Sequence, residues 1–97
     1  MFVTMVEGFI EPEREDDLRS SFVEETARGI RPAGLIESSL LRSDDGVWRI
    51  VTVWESRDAV IAMREQGRPA AVVMFQDAGA RPRVALCEVE GRLGAEG

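Results

Sequence analysis

The chain has 97 residues, a single cysteine and a formal net charge of −6. That length suits one domain, which buries about two thirds of the surface of the unfolded chain. The charge argues against a nucleic-acid partner, because an acidic chain with dispersed arginines offers no basic surface to displace phosphate counterions. We expect no membrane partner either, because no apolar run reaches the roughly 20 residues of a membrane span.

The residue inventory removes most of the familiar catalytic machinery. The sequence has no His, no Tyr, no Asn and no Lys, so every basic side chain is an arginine. Acid–base chemistry by His, Schiff-base formation by Lys and His-activated nucleophiles are therefore excluded. A zinc site needs several Cys or His ligands, and this chain has one Cys and no His. For haem iron, the absence of His and Tyr leaves only Cys and Met side chains as weak candidates for the axial ligand. We expect no metal and no organic cofactor.

The N-terminus and the cysteine content bear on where the protein works. The first residues lack the basic, then apolar, then small-residue pattern of a signal peptide. One cysteine allows no internal disulfide and fits a reducing compartment. We expect a cytoplasmic protein, and its arginine-only, Ala- and Gly-rich composition is typical of bacteria with GC-rich genomes. Residues 1–91 are expected to form the domain, with residues 92–97 as a flexible tail.

The first third of the chain predicts a strand and then a helix. Residues 2–10 alternate and are rich in β-forming side chains, which predicts the strand. Pro12 suits the first position of a helix, and the acidic residues behind it complement the helix dipole. Gly29 and Pro32 predict the end of that helix. Its apolar stripe is expected to consist of Leu18, Phe22, Val23, Thr26, Ala27 and Ile30.

The remainder predicts two strands, a helix in two pieces and a last strand. Residues 34–42 and 47–55 alternate, and the Asp-Gly dipeptide between them predicts an antiparallel hairpin. Ser56 is a natural N-cap, and Pro69 begins a second short helix that ends at Gly79. Residues 82–90 predict the last strand. This order indicates an α+β fold, a ferredoxin-like four-stranded antiparallel sheet with helices on one face.

The central strand, residues 47–54, is apolar on both faces. Its even-numbered positions from Trp48 to Trp54 share one face, and its odd-numbered positions, apart from Arg49, form a second apolar face. A strand with two apolar faces needs cover on both sides, and the helical segments suffice for one. We therefore expect a homodimer through the helix-free sheet face.

Residues 32–59 carry a pattern with a known counterpart. A Pro-x-Gly motif at residues 32–34 precedes the hairpin, and a Trp-Glu-Ser-x-x-Ala motif at residues 54–59 follows it. Together with the order of elements over residues 2–90, this pattern resembles the antibiotic biosynthesis monooxygenase family of dimeric α+β barrels. The resemblance implies the fold, but the superfamily includes cofactor-independent oxygenases, haem-degrading enzymes, isomerases and cyclases.

The polar residues that the family uses for chemistry are mostly unmatched here. Oxygenases of the actinorhodin-pathway type place an Asn before the motif tryptophan and a Tyr after it, at positions that are Ile50 and Val60 in this chain. The haem-degrading branch places a second Trp and a His at what are here Met63 and Val73. Only Trp54 is retained, so the resemblance argues against haem chemistry and leaves an oxygenase site without its polar partners.

We predict a ligand pocket between the helices and the sheet face that bears Trp54, which is the best catalytic candidate. Ligand pockets are typically apolar with a few convergent polar groups. The candidate substrate-binding residues are Phe22, Trp48, Ile50, Thr52, Trp54, Val60 and Met63, with Val73 or Met74 as a further wall. The polar candidates are Thr4, Ser38, Thr52 and Arg49, of which Arg49 falls on the opposite face.

Several candidates have a structural alternative. A tryptophan in the position of Trp54 more often fills the core between sheet and helices than serves a function. A tryptophan near a hairpin end, such as Trp48, is more often partly exposed or at an interface than bound to a ligand. Arg49 is expected to pair with Glu37 or with a second subunit rather than to bind a substrate anion. Cys87 is expected to be a buried, inert thiol.

Two functions follow from these observations. The first is a dimeric monooxygenase without cofactor, acting on a hydrophobic, aromatic small molecule. In it the ring of the substrate packs on Trp54, and Thr52 or an arginine steadies an oxyanion. The second is a non-catalytic ligand-binding or assembly module that kept the barrel and lost the catalytic residues.

Overall fold

The computed structural model of the chain describes residues 1–29 and 31–94. All strand pairs are antiparallel, in the order β2-β3-β1-β4. The α+β, ferredoxin-like prediction is thereby confirmed, including the hairpin and the helix in two pieces. No helix of the described part is long and apolar enough to cross a membrane. The elements are β1 (Phe2–Phe9), α1 (Glu15–Ala27), β2 (Leu35–Arg42), β3 (Val47–Trp54), α2 (Arg57–Glu65), α3 (Ala70–Asp77) and β4 (Arg83–Glu88).

Helix α1 follows a 3₁₀ turn at Pro12–Arg14 and buries a narrower stripe than its sequence predicts. Leu18 is fully buried and Phe22 half-buried, whereas Val23, Thr26 and Ala27 are exposed. The prediction that these three residues face the core is therefore wrong. Helix α1 packs on α3, so a side chain turned away from α3 meets solvent. Ile30, the last residue of the predicted stripe, and residues 95–97 of the predicted tail lie outside the described residues.

The helices cover one face of the sheet. Along β3 the even-numbered residues are buried and the odd-numbered residues are half-buried, which is the pattern of a strand packed on one side only. The main core lies on the covered face, and burying a large apolar side chain contributes about 1.5–3 kcal/mol. Its members are Val6, Ile10, Leu18, Trp48, Ile50, Met74, Phe75 and Ala78.

Trp48 is buried to 2% exposure, so the predicted partly exposed or interfacial position is wrong. Its indole N–H donates to Glu15 Oε2 at 3.2 Å. The guanidinium carbons of Arg19 and Arg42 lie over the ring, 5.0 and 5.9 Å from its centroid. These long side chains cover the ring from solvent and attract it through cation–π contacts.

Arg49 forms an ion pair on the helix-free face. Its Nε donates to Glu7 Oε1 at 2.9 Å, and its Nη1 donates to Ser43 Oγ at 2.7 Å. The prediction that Glu37 is the partner within the chain is wrong, because the register places Glu37 opposite Val53 and Arg49 opposite Glu7.

Strand β4 lies at the edge of the sheet, where β1 is its one neighbour. It is shorter than predicted, although the N–H of Val89 still donates to the carbonyl of Met1 at 3.0 Å. Cys87 is exposed, so the predicted buried thiol is wrong. Its register opposite Val3 places it on the helix-free face.

The two sequence motifs join the start of β2 to the start of α2. Ser56 Oγ accepts from the Ala59 N–H at 3.2 Å and caps α2, as predicted. The Gly34 carbonyl accepts from the Glu55 N–H at 2.8 Å. A Cβ built on Gly34 would lie 2.5 Å from Ala59 Cβ, so only a glycine allows this approach. These contacts fix the end of β3, which carries Trp54.

Candidate functional site

A cavity of about 310 Å³ lies between the covered face of the sheet and the three helices. This volume is at the lower end of the range of about 300–1,000 Å³ that is usual for small-molecule sites. Every strand and every helix contributes to its wall. The lining residues are Thr4, Val6, Phe22, Glu25, Thr26, Gly29, Arg31, Pro32, Leu35, Ile36, Glu37, Ser38, Ile50, Thr52, Trp54, Met63, Arg64, Pro69, Ala70, Ala71, Met74 and Val84.

The structure brings most of the predicted site residues together around this cavity. The candidates in its wall are Phe22, Ile50, Thr52, Trp54 and Met63. Two candidates lie outside the wall: Val60 is fully buried beneath α2, and Trp48 belongs to the main core. Of the two alternatives for a further wall, Met74 contacts the cavity and Val73 does not.

Three hydroxyl-bearing residues cross the cavity floor in one row. Ser38 on β2 lies opposite Thr52 on β3, and Thr52 lies opposite Thr4 on β1. The Ser38 and Thr52 hydroxyls are hydrogen-bonded at 2.9 Å. Thr4 and Thr52 are each only 7% exposed. This hydroxyl row (Ser38, Thr52 and Thr4) is the polar part of an otherwise apolar floor.

Trp54 is part of the cavity wall and is 3% exposed. Its indole N–H donates to Thr4 Oγ1 at 2.9 Å. A buried indole normally satisfies its single donor in this way. The ring therefore offers an apolar wall to a ligand, while its N–H is committed to Thr4.

The cavity wall also contains charged residues that the sequence did not predict there. They are Glu25, which is half-buried, and Arg31, Glu37 and Arg64, which are exposed. A β-bulge between Leu35 and Glu37 brings four consecutive residues, 35–38, to the wall. Strict alternation assigns every second residue of a strand to the opposite face, so a bulge defeats that rule. Arg49, the predicted charged candidate, lies on the helix-free face, away from the cavity.

The chemistry available in the cavity is limited. Within residues 1–29 and 31–94, no group of three or more His, Cys, Asp or Glu side chains is placed to hold a metal ion. Of the side-chain types that bind haem iron, the wall has only the thioethers of Met63 and Met74. The cavity can exclude water, pack against an aromatic ring and offer hydroxyl hydrogen bonds.

Solved structures of other proteins share this fold. A protein from Deinococcus radiodurans, described as an antibiotic biosynthesis monooxygenase, matches with a TM-score of 0.73 and 13% identity over 100% of both chains. The cofactor-independent oxygenase SnoaB from Streptomyces nogalater matches with a TM-score of 0.67 and 22% identity, over 95% of this chain and 96% of its own. MhuD, solved with two manganese protoporphyrin IX molecules per active site, matches with a TM-score of 0.73 and 22% identity, over 98% of this chain and 100% of its own. At such identities the likeness shows the fold alone.

Sequence comparison gives the family. No curated protein matches the chain closely enough to count as a relative. The family profile described as antibiotic biosynthesis monooxygenase matches residues 1–71, which run from β1 into α3 and include both motifs and Trp54. The match extends over most of the chain and agrees with the shared fold. The chain belongs to the antibiotic biosynthesis monooxygenase family.

Proposed function

We propose that this protein is a cofactor-independent, monooxygenase-like enzyme that acts on a hydrophobic, aromatic small molecule. The observation that carries the proposal is the apolar cavity, which has Trp54 in its wall and the hydroxyl row on its floor. Family membership supports an oxygenase role, and SnoaB provides a cofactor-independent oxygenase with the same fold. An aromatic ring packed on Trp54 would be held in a site from which water is largely excluded.

In this proposal the substrate supplies the reactivity and the protein supplies the setting. No lining side chain is His, Lys or Tyr, and the Glu25 and Glu37 carboxylates are weak bases, so the substrate must be acidic enough to lose a proton from a ring CH₂ group. Its carbanion transfers an electron to O₂, the two radicals combine to a peroxide anion, and this anion takes up a proton to give a hydroperoxide. Loss of water from the hydroperoxide leaves a carbonyl. The balance is CH₂ plus O₂ giving C=O plus H₂O, with O₂ as the oxidant. The cavity contributes orientation and desolvation.

Trp54→Phe is expected to lower kcat/KM for oxygen uptake about tenfold with a dihydroxynaphthalene substrate, whose keto tautomer carries the ring CH₂ group. The change removes ring area at the cavity wall and the hydrogen bond to Thr4. Trp48→Phe is the matched control, because Trp48 lies outside the wall, and it should stay within about twofold of wild type. An oxygen electrode measures all three proteins. Equal losses in the two variants would show that Trp54 acts only through packing.

A non-catalytic ligand-binding or assembly module is the second candidate. The observation that favours it is the apolar pair Ile50 and Val60, which occupy the positions of the polar partners in the oxygenases that this chain resembles. Tight binding of an aromatic ligand without oxygen consumption above the protein-free rate would decide for the module.

Haem degradation is not proposed, because the residues at the cavity do not fit that group. Met63 and Val73 stand where the haem-degrading branch has Trp and His, and Val73 does not reach the cavity wall. A haem titration is expected to give no Soret shift that saturates at a stoichiometric ratio. Such a shift would contradict this view of the site.

We also propose that the protein is a homodimer through the helix-free face. The apolar part of this face lies on β1, β2 and β3, and its half-buried or exposed members would be covered by a second copy. The Glu7–Arg49 pair at 2.9 Å neutralises the charges that would otherwise be buried there. The apolar members are Val3, Met5, Phe9, Leu41, Val47, Val51 and Val53.

A further inference from the structure

The hydroxyl row on the cavity floor has hydrogen-bond donors that are not used within the row. Ser38, Thr52 and Thr4 each supply one O–H, and Trp54 supplies one N–H. One hydrogen joins Ser38 to Thr52, and the indole hydrogen is donated to Thr4, both at 2.9 Å. Among residues 1–29 and 31–94, no acceptor is found for the Thr4 O–H or for the second O–H of the Ser38–Thr52 pair. Two hydroxyl donors are therefore uncommitted.

Burial matters most for the Thr4 donor, because the second uncommitted hydrogen is shared between Thr52 and the exposed Ser38. Thr4 and Thr52 are more than nine-tenths buried, and both line the cavity. Buried polar groups normally find partners, and a donor that has none is unfavourable. The Trp54 N–H occupies the acceptor side of Thr4 and polarises its hydroxyl, which makes the remaining O–H a stronger donor.

We propose that the hydroxyl row binds an oxygen acceptor of the ligand, with Thr4 as the donor and Trp54 as a positioning residue that acts through Thr4. The ligand class is an aromatic ketone or phenol, whose enolate or phenolate accepts the same hydrogen bonds. This inference rests on the proposed function only in taking the cavity as a small-molecule site. Thr4 and Thr52 are cross-strand partners. Such partners typically have Cβ atoms about 4.5–5.5 Å apart, so one ligand oxygen can contact both hydroxyls.

This arrangement offsets the absence of His, Lys and Tyr from the cavity wall. Hydroxyl donors fixed before the reaction stabilise negative charge on oxygen more than they stabilise a neutral carbonyl. They therefore favour the ionised form of the ligand, which is the form that reacts with oxygen in the proposed function. The motif tryptophan contributes through the threonine it holds and does not itself donate to the ligand.

Two probes test the proposal: 1-tetralone, a bicyclic aromatic ketone, and tetralin, the hydrocarbon of similar shape that has a CH₂ group in place of the carbonyl. Thr4→Val is expected to weaken 1-tetralone binding about fivefold, the worth of one hydrogen bond, and to change tetralin binding by less than about twofold. Isothermal titration calorimetry measures both dissociation constants. Thr4→Ser keeps the hydroxyl and should restore the wild-type ratio.

Thr26→Val is the matched control. Thr26 also lines the cavity, but its hydroxyl already donates to the Phe22 carbonyl at 2.9 Å. The ratio of the two dissociation constants should therefore be unchanged in this variant. Trp54→Phe should lower the dissociation constant of tetralin divided by that of 1-tetralone when it is made in the wild-type protein. Made in the Thr4→Val variant, it should not change this ratio further, because Trp54 acts through Thr4.

The outcomes separate this proposal from the proposed function. Equal changes for both probes in Thr4→Val, or an equal ratio change in Thr26→Val, would overturn the donor role of Thr4. Tetralin binding without 1-tetralone binding would do the same, while leaving the cavity as a ligand site. Failure of wild type to bind either probe would overturn both proposals. Neither probe needs to be oxidised, so absent oxygen uptake leaves the binding result valid.

Discussion

Replacing Val51 with glutamate is expected to weaken the proposed homodimer at least about a hundredfold, because the cost of burying an unpaired carboxylate exceeds the 2.7 kcal/mol that this factor represents. Val51 lies at the centre of the helix-free face, opposite Met5 on β1 and Ser39 on β2. Sedimentation equilibrium at micromolar concentration should give about twice the chain mass of 10.8 kDa for wild type and the single-chain mass for Val51→Glu.

Val23→Glu is the matched control for this experiment. Val23 is 64% exposed on α1, on the other side of the sheet, so the same substitution there should leave the association unchanged. Val51 is only half-buried in one chain, so the folded monomer should tolerate glutamate, and circular dichroism checks this. A wild-type protein of 10.8 kDa in solution would refute the dimer outright.

The sheet could be predicted from sequence because strand periodicity and turn chemistry are local. Alternation assigned the residues of β3 to the correct faces, and the Asp-Gly turn fixed the β2–β3 hairpin. Alternation gives a face and not a position along the cavity. Trp48 and Trp54 share a face, but they lie at opposite ends of β3, and only Trp54 reaches the cavity.

Partners that depend on long-range register were beyond the sequence analysis. Arg49 pairs with Glu7, 42 positions away, because β1 inserts between β3 and β4. The charged residues of the cavity wall depend on the bulge at residues 35–37 and on the placement of α1 and α2, which no local pattern specifies. The cytoplasmic location and the flexible tail stay predictions from sequence.

The sequence motifs that give the chain its family resemblance have a structural basis here. Ser56 caps α2, and Gly34 makes room for Ala59, so the motif holds the end of β3 against the start of α2. Pro32 and Trp54 are the motif residues that line the cavity. A fold can therefore be shared through these contacts while the polar residues of the cavity change, which is why the motif predicts architecture better than activity.

Gly34→Ala is accordingly expected to lower the free energy of unfolding by about 3 kcal/mol. Gly34 has a φ of +85°, which disfavours any side chain, and its Cβ would lie 2.5 Å from Ala59 Cβ, so β2 or α2 must move. Gly29→Ala separates the two effects, because Gly29 has a φ of +71° with no atom within 4 Å of its Cβ, and about 1 kcal/mol is expected there. Urea denaturation at matched protein concentration measures both. Equal losses would mean that backbone strain alone acts at Gly34, and that its contact with Ala59 does not join β2 to α2.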